Sequence, residues 1–260
     1  MSGRIAIAAY GVVCYLVGAG AYFIGLAGFV GNFLGPYSID AGPPTSPGLA
    51  LLVNGGLIVL FGLPHSLMAR RGFKRWWTRL VPPAAERSTF MLQSGLMALL
   101  LIWQWRPLPG VIWSVEGTPA APLLWAVFWL GWLIALIATF LINHFELTGL
   151  QQVYAHLRGL PAAAPGFRTP FLYRVVRHPM QLGVLLAFWA TPRMTVGHLV
   201  FALGMTAYIL VGLFFEERDL VRAFGRQYEA YRAATPMLIP RPWPRRRPAA
   251  ERPGVARPEA

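Results

Sequence analysis

The chain has 260 residues, of which 56% are hydrophobic and only 13% are charged, and its mean hydropathy is +0.50. Soluble domains carry about 25% charged residues, so the composition excludes an ordinary soluble enzyme and indicates a polytopic membrane protein. The net charge of +13 has to be interpreted from where the basic residues fall along the chain.

Hydropathy predicts four long spans and a final hairpin, because several runs approach or exceed the roughly 20 residues that cross a bilayer core. The predicted segments are Ile5–Phe29, Gly48–Ala69, Ser88–Trp105, Pro122–Phe145, and a hairpin of Met180–Thr191 with Val196–Phe215. As a helix, Met180–Thr191 would be about 18 Å long, too short to cross alone. Either it forms a re-entrant V with the next segment, or Phe171–Val176 extends it. The predicted fold class is all-α, with five to six transmembrane segments.

The basic residues alternate with these segments. The N-terminus, the second and fourth loops and the C-terminal region hold 21 of the 23 lysines and arginines, and only Arg106 and Arg193 lie on the other side. By the positive-inside rule both termini are cytoplasmic. The charge is therefore explained by topology and the lipid bilayer, not by nucleic acid, and no obligate protein partner is evident.

The C-terminal region continues past the membrane as an amphipathic helix. Five of its residues recur at three- or four-residue steps and share one face, which is mostly apolar and aromatic: Glu217, Leu220, Phe224, Tyr228 and Tyr231. A membrane-surface helix without a catalytic role would also give this pattern. We expect residues 1–240 to form one domain and the Arg/Pro-rich tail, residues 241–260, to be disordered.

Ionisable residues near the cytoplasmic ends of the spans are candidates for function, because polar groups in a membrane are costly unless they are paired. His65, His144 and Glu146 belong to this group. So do Arg177, His178, Glu216 and Glu217. Four parts of the chain thus bring polar groups to one predicted depth, and we expect no metal site among them.

The last part of the chain resembles the core of isoprenylcysteine carboxyl methyltransferases and phospholipid methyltransferases. The resemblance covers about residues 170–240 and rests on Arg177-His178-Pro179, Gly183, Glu216-Glu217, Phe224-Gly225, Tyr228, Tyr231 and Pro236. In that superfamily the core binds S-adenosylmethionine. The resemblance implies that the cofactor is bound by Arg177, His178, Pro179, Gly183, Glu216, Glu217, Tyr228 and Tyr231. Gln181 stands where the superfamily often has tyrosine.

Motifs across the rest of the chain resemble bacterial methanethiol S-methyltransferases. They include Leu63-Pro64-His65-Ser66, Trp103-Gln104-Trp105-Arg106-Pro107 and Asn143-His144-Phe145-Glu146. The resemblance implies methylation of a small thiol, methanethiol, to dimethyl sulfide at the inner membrane of a bacterium, with the active site on the cytoplasmic face. His65 or His144 is then a candidate base for the thiol, and Glu146 would orient an imidazole or pair with an arginine.

Three alternatives stay open at this point. The same scaffold could methylate an isoprenoid or a phospholipid. The histidine segments also resemble membrane proteins of the NnrU family, in which buried histidines could ligate haem. A non-enzymatic scaffold or transporter would bind no cofactor, although no internal repeat supports it.

Overall fold

Four helices are long and apolar enough to cross a membrane in the computed structural model, which describes residues 1–161 and 166–241. They are Ser2–Val30, Pro47–Met68, Ala120–Ile142 and Val196–Phe224. Each overlaps a predicted span, which confirms a mostly helical protein suited to a membrane. The predicted tail, apart from Arg241, lies outside the described residues.

The first of these helices contains a change of winding. It begins as α1 (Ser2–Ala19), passes through a π-helical segment (Gly20–Leu26) and ends as α2 (Ala27–Val30). A π-helix closes its hydrogen bonds over five residues, so the segment adds a residue to the turn and rotates the side chains that follow. The predicted span Ile5–Phe29 falls within this helix.

Two further helices pack beside it, with a short helix between them. These are α3 (Pro47–Met68), α4 (Arg71–Trp77) and α5 (Glu86–Gln104). With 19 residues, α5 is long enough to span. The charged and polar residues of its first turns make it less apolar than the four helices named above. It meets α1 at Gly18 and Gly95, where a Cβ on Gly95 would lie 2.7 Å from the Cα of Gly18. Only glycine permits this close approach of the two backbones.

The predicted span Pro122–Phe145 is wrong at its end. Helix α6 (Ala120–Ile142) stops because Asn143 leaves the helical conformation and caps α7 (His144–Thr148) by accepting from the N–H of Glu146. Helix α8 (Leu150–Arg158) follows. His144 and Glu146 therefore lie on a separate short helix, not on the span.

The short helix α9 (Pro179–Trp189) packs antiparallel to α6. Its 11 residues would extend about 16 Å. Residues Phe171–Arg174 form a separate 3₁₀ turn, and His178 has a non-helical ψ of 66°. The alternative in which Phe171–Val176 extends this helix is therefore wrong, because the residue before a proline is driven out of the helical region.

Two short strands depart from the expected all-α fold. Strand β1 (Val111–Ser114) pairs antiparallel with β2 (Arg193–Thr195), which connects α9 to the next helix. Both strands lie in connections between helices, and their pairing satisfies backbone groups that would otherwise need water. The two strands lie at one end of the bundle, and α3 ends at the opposite end.

The predicted continuous C-terminal helix is divided in two. Helix α10 (Val196–Phe224) continues past Phe215 as expected, but it ends at Gly225, whose φ of 53° and ψ of −132° suit only glycine. Helix α11 (Arg226–Ala234) then begins in a new direction. This break folds the end of the chain back onto the start of α9.

Candidate functional site

A buried ion cluster joins the start of α9 to α10. The Nε of Arg177 donates to Oε1 of Glu217 at 2.6 Å, and Nε2 of His178 lies 3.1 Å from the same oxygen. The three side chains are between 5% and 12% exposed, so the charges are largely removed from water and their pairing is required. One carboxylate oxygen thus holds two neighbouring residues.

Arg177 also ties down the end of the chain. Its Nη1 donates to the carbonyl oxygens of Arg232 and Thr235 at the end of α11. The backbone N–H groups of Arg177 and His178 donate to the carbonyls of Pro236 and Met237 at 2.9 and 3.2 Å. These contacts explain why Pro236 belongs to the same motif as Arg177 and His178. The two segments are far apart in sequence but adjacent in space.

An aromatic group covers this cluster. The ring of Phe167 lies 5.9 Å from that of Tyr228 and 5.5 Å from that of Tyr231. The Tyr231 hydroxyl donates to the carbonyl of Tyr173 at 2.6 Å. Burial raises the pKa of Tyr231 to about 12 and also raises the pKa of Tyr228. Both phenols are therefore protonated donors at neutral pH.

The hydroxyl of Tyr228 has no hydrogen-bond partner within the described part of the chain, although it is buried. A buried hydroxyl without a partner is costly. Such an atom is suited to bond a ligand that fills the space beside it. Sequence reasoning chose Tyr228 for its position in the motif but could not reveal this unsatisfied donor.

The adjacent glutamates of the motif face different surroundings. Glu217 points into the ion cluster, whereas Glu216 is exposed. The carboxylate of Glu216 is close enough to Tyr173 to raise the pKa of that phenol further, after the larger effect of burial. Glu216 is thus an available acceptor beside the aromatic group.

Pro179 and Gly183 serve the packing of α9. Pro179 is buried at the first position of the helix, where its missing N–H costs nothing. A Cβ on Gly183 would lie 2.4 Å from the carbonyl oxygen of Gly131 and 2.6 Å from the nitrogen of Ala135. The structure therefore places Gly183 against α6, and its expected contact with a cofactor stays a prediction.

His65 lies in a second polar cluster that sequence reasoning did not assemble. Its Nδ1 is 2.9 Å from Oγ of Ser94 on α5 and 3.5 Å from the hydroxyl of Tyr22 in the π-helical segment. The rings of Phe90 and Tyr208 lie 4.8 and 6.2 Å from the imidazole. Three other helical segments thus converge on this histidine of α3.

This second cluster lies close to Glu216 along the bundle. Helices α3 and α10 run parallel, because Gly62 faces Tyr208 while Arg70 pairs with Asp219 at 3.3 Å. On that register His65 is level with residue 211, so Glu216 is about 7.5 Å further along α10. The structure therefore brings His65 to the same part of the bundle as the motif.

His144 has different partners. Its Nδ1 is 2.8 Å from Oγ1 of Thr139, and its Nε2 is 3.0 Å from the hydroxyl of Tyr15. The hydroxyl of Thr139 already donates to the carbonyl of Leu136, so Nδ1 is the donor and Nε2 accepts from Tyr15. Burial lowers the pKa of His144. A neutral ring with both nitrogens engaged ties α7 to α1 and α6.

Glu146 forms hydrogen bonds with Asn143, the residue that caps its own helix. Its N–H donates to Oδ1 of Asn143, and its carboxylate accepts from Nδ2 of the same residue, both at 3.2 Å. This is a reciprocal capping arrangement. It differs from the expected pairing with an imidazole or an arginine.

Comparisons with known proteins place the chain among membrane methyltransferases. It is 54% identical over 247 residues to methanethiol S-methyltransferase 2 of Bradyrhizobium diazoefficiens, covering 95% of each chain. It is 53% identical to the methanethiol S-methyltransferase of Mycobacterium tuberculosis, covering 91% of this chain and 96% of the relative. Nurim of Sus scrofa is 32% identical over 64% of the chain and 66% of its own length. No family model and no solved structure matches.

Proposed function

Because the chain belongs to the methanethiol S-methyltransferase family, we propose that it transfers a methyl group from S-adenosylmethionine to methanethiol and releases dimethyl sulfide. The near-complete coverage of those relatives is the observation that carries this proposal. It replaces the alternative of an isoprenoid or phospholipid substrate, which rested on the shared C-terminal core alone.

The residues beside the ion cluster suit the methyl donor. Glu216 offers an exposed carboxylate for an ammonium or a ribose hydroxyl, and Tyr228 offers a buried hydroxyl that lacks a partner. Both lie on elements fixed by the cluster of Arg177, His178 and Glu217. We assign Glu216 and Tyr228 to direct contact with the donor. The cluster, together with Pro179, Gly183 and Tyr231, positions them.

The bound donor supplies a methyl group on a sulfonium that is already activated. The protein's task is to orient the thiol, exclude water and accept a proton. A thiolate reacts far better than a thiol, so a base near the sulfur accelerates the transfer. The proton of the thiol passes to the base, the sulfur forms a bond to the methyl carbon, and the sulfonium's carbon–sulfur bond breaks.

His65 is the better candidate for that base. Both of its hydrogen bonds within the described residues use Nδ1, so Nε2 retains a lone pair when Nδ1 carries the proton. His144 could accept a proton only by losing the hydrogen bond from Tyr15. We therefore propose His65 as the base, and a supporting role for His144 and Glu146 in holding α7.

The bonds to His144 also weigh against that histidine as a haem ligand. An axial ligand needs a nitrogen lone pair directed at the iron, and the lone pair of His144 accepts from Tyr15. A haem-binding alternative predicts a strong absorbance band in the purified protein, whereas a methyltransferase predicts none.

The proposed topology places the site at the cytoplasmic face of a bacterial inner membrane. In this topology the four helices that are long and apolar enough to cross the membrane are spans, α5 adds a fifth segment, and α9 with α10 forms the final hairpin. Both termini are cytoplasmic, because the basic residues collect at that side. Helix α11 then lies at the membrane surface, with Arg226 and Arg232 available to anionic headgroups.

The proposal is tested by headspace gas chromatography of a bacterium that lacks the activity. Cells that express the chain and receive methanethiol should release dimethyl sulfide, and cells with the empty vector should not. Cells expressing Glu216→Gln at equal membrane abundance should release far less. If a well-expressed wild-type chain released no dimethyl sulfide, the proposal would be wrong.

A further inference from the structure

The polar groups around His65 have no role yet in the account of the donor site. Tyr22, Ser94 and Tyr208 come from three different helical segments and face one imidazole. Three polar side chains inside a membrane bundle are costly to bury. Their convergence beside the proposed base indicates a site for a small polar group.

The π-helical segment is what brings Tyr22 there. It runs from Gly20 to Leu26, and Tyr22 is its third residue. π-Helical turns are rare and occur frequently at functional sites, because the extra residue redirects side chains at the cost of weaker backbone geometry. Here the redirected side chain is a phenol whose hydroxyl reaches the imidazole.

The two hydroxyls bind His65 unequally. Ser94 lies 2.9 Å from Nδ1, a full hydrogen bond, whereas Tyr22 lies 3.5 Å from it, at the limit of hydrogen bonding. Ser94 therefore fixes the ring, and because its hydroxyl donates to Oε1 of Gln93 at 3.5 Å, its oxygen accepts from a proton on Nδ1. The hydroxyl of Tyr22 is loosely held and can rotate its proton to a neighbouring acceptor.

We propose that Tyr22 donates a hydrogen bond to the sulfur of the bound thiol, while Ser94 holds His65 with Nε2 directed at the S–H. This inference rests on the proposed function and names the thiol subsite of the same reaction. The S–H proton moves to Nε2, and the sulfur, bonded to the Tyr22 hydroxyl, keeps the electron pair that attacks the methyl carbon. The imidazolium then returns its proton to water after the product leaves.

The rings around the subsite suit a small alkyl thiol. Phe61 stacks on His65 at 5.8 Å, and Phe90 and Tyr208 close other sides. Apolar ring surfaces thus surround one polar imidazole, the combination that a sulfur carrying a methyl group would require. A low-polarity surrounding strengthens a single hydrogen bond to a thiolate.

The test compares Tyr22→Phe with Tyr10→Phe in purified protein. Tyr10 is the matched control, because its hydroxyl also bonds a side chain of another helix, here Oγ1 of Thr89 on α5 at 2.9 Å, and lies away from His65. For Tyr22→Phe we expect kcat/KM for methanethiol to fall roughly 10- to 100-fold, the loss of one hydrogen bond to a charged acceptor. The KM for S-adenosylmethionine should change less than about twofold, and Tyr10→Phe should behave as wild type.

The pH profile separates a bond to sulfur from a merely structural role. If Tyr22 stabilises the thiolate of the bound substrate, the rise of kcat with pH should move upward by about one pH unit in Tyr22→Phe, because kcat reports the groups that titrate in the enzyme–substrate complex. Ser94→Ala should lower kcat, and Ser94→Thr, which keeps the hydroxyl, should recover most of it. If Tyr22→Phe does not accumulate in the membrane, the comparison of Ser94→Ala with Ser94→Thr tests the proposal instead.

The outcomes distinguish the two proposals. A wild-type protein without activity refutes the proposed function. An active wild type with unchanged thiol kinetics and pH profile in Tyr22→Phe refutes the subsite alone, as does full activity in Ser94→Ala. An equal rise in the KM values for thiol and donor would also refute it, since that would indicate a general loss of structure.

Discussion

Replacing Glu217 by glutamine should loosen the whole C-terminal motif. The substitution keeps the size of the side chain but removes the charge that Arg177 and His178 share at 2.6 and 3.1 Å. The guanidinium then stays buried without a counter-charge, although it keeps its bonds to the carbonyl oxygens of Arg232 and Thr235. Breaking a buried pair outright costs about 3–5 kcal/mol. Because glutamine retains one acceptor, we expect a loss of about 2–3 kcal/mol.

The matched control is Asp219→Asn, two residues further along α10. Its partner Arg70 lies at 3.3 Å, but both side chains are 34% exposed, so solvent screening limits the loss to less than about 1 kcal/mol. In a domain of this size 2–3 kcal/mol corresponds to a fall in Tm of roughly 5–10 °C.

Thermal unfolding of the detergent-purified variants measures this difference, and limited proteolysis reports whether α11 is released. Glu217→Gln should melt well below Asp219→Asn and be cut more readily after α11. Equal melting temperatures for the two variants would refute the view that the ion cluster holds the motif together.

Three further predictions follow from particular contacts. Gly183→Ala should strongly reduce the amount of folded protein in the membrane, because the added Cβ would meet the backbone of α6 at 2.4 Å. The control Gly212→Ala, whose Cβ would have nothing within 4 Å, should accumulate normally. Fluorescence size-exclusion chromatography measures the amount of folded protein for both variants. Tyr228→Phe should raise the KM for S-adenosylmethionine several-fold and leave that for methanethiol unchanged, and an unchanged donor KM would remove Tyr228 from the donor site. The pKa of Tyr231 is about 12 in the folded chain, above its unfolded value of about 10, so its contribution to the free energy of unfolding is complete below pH 10 and is lost between pH 10 and 12. Tyr231→Phe should therefore show a smaller fall in Tm between pH 9 and 11 than wild type, and an equal fall would contradict the assignment.

Hydropathy and charge predicted the positions of the spans because burial in lipid depends mainly on composition along the chain. The end of α6 was missed, although Asn143 and Glu146 have the spacing of a capping pair, a local signal that the sequence does contain. The break at Gly225 was also readable in principle, since glycine commonly ends helices. At both positions the apolar or aromatic pattern continues past the residue that ends the helix, so periodicity alone does not mark the break.

The His65 cluster could not be predicted in the same way. Tyr22, Ser94 and Tyr208 are ordinary residues within apolar runs, and only the relative rotation of α1, α5 and α10 brings them to one imidazole. The packing role of Gly183 could not be predicted from the sequence either. It depends on the antiparallel contact with Gly131, which no local pattern of α9 specifies.

The most direct test of the account uses purified protein in lipid vesicles, with methanethiol and S-adenosylmethionine carrying a deuterated methyl group. The account predicts dimethyl sulfide with exactly one labelled methyl, formed by wild type and by Tyr10→Phe, and greatly reduced in Glu216→Gln. Folded protein that releases no labelled dimethyl sulfide, or transfers the label to vesicle lipid instead, would contradict it.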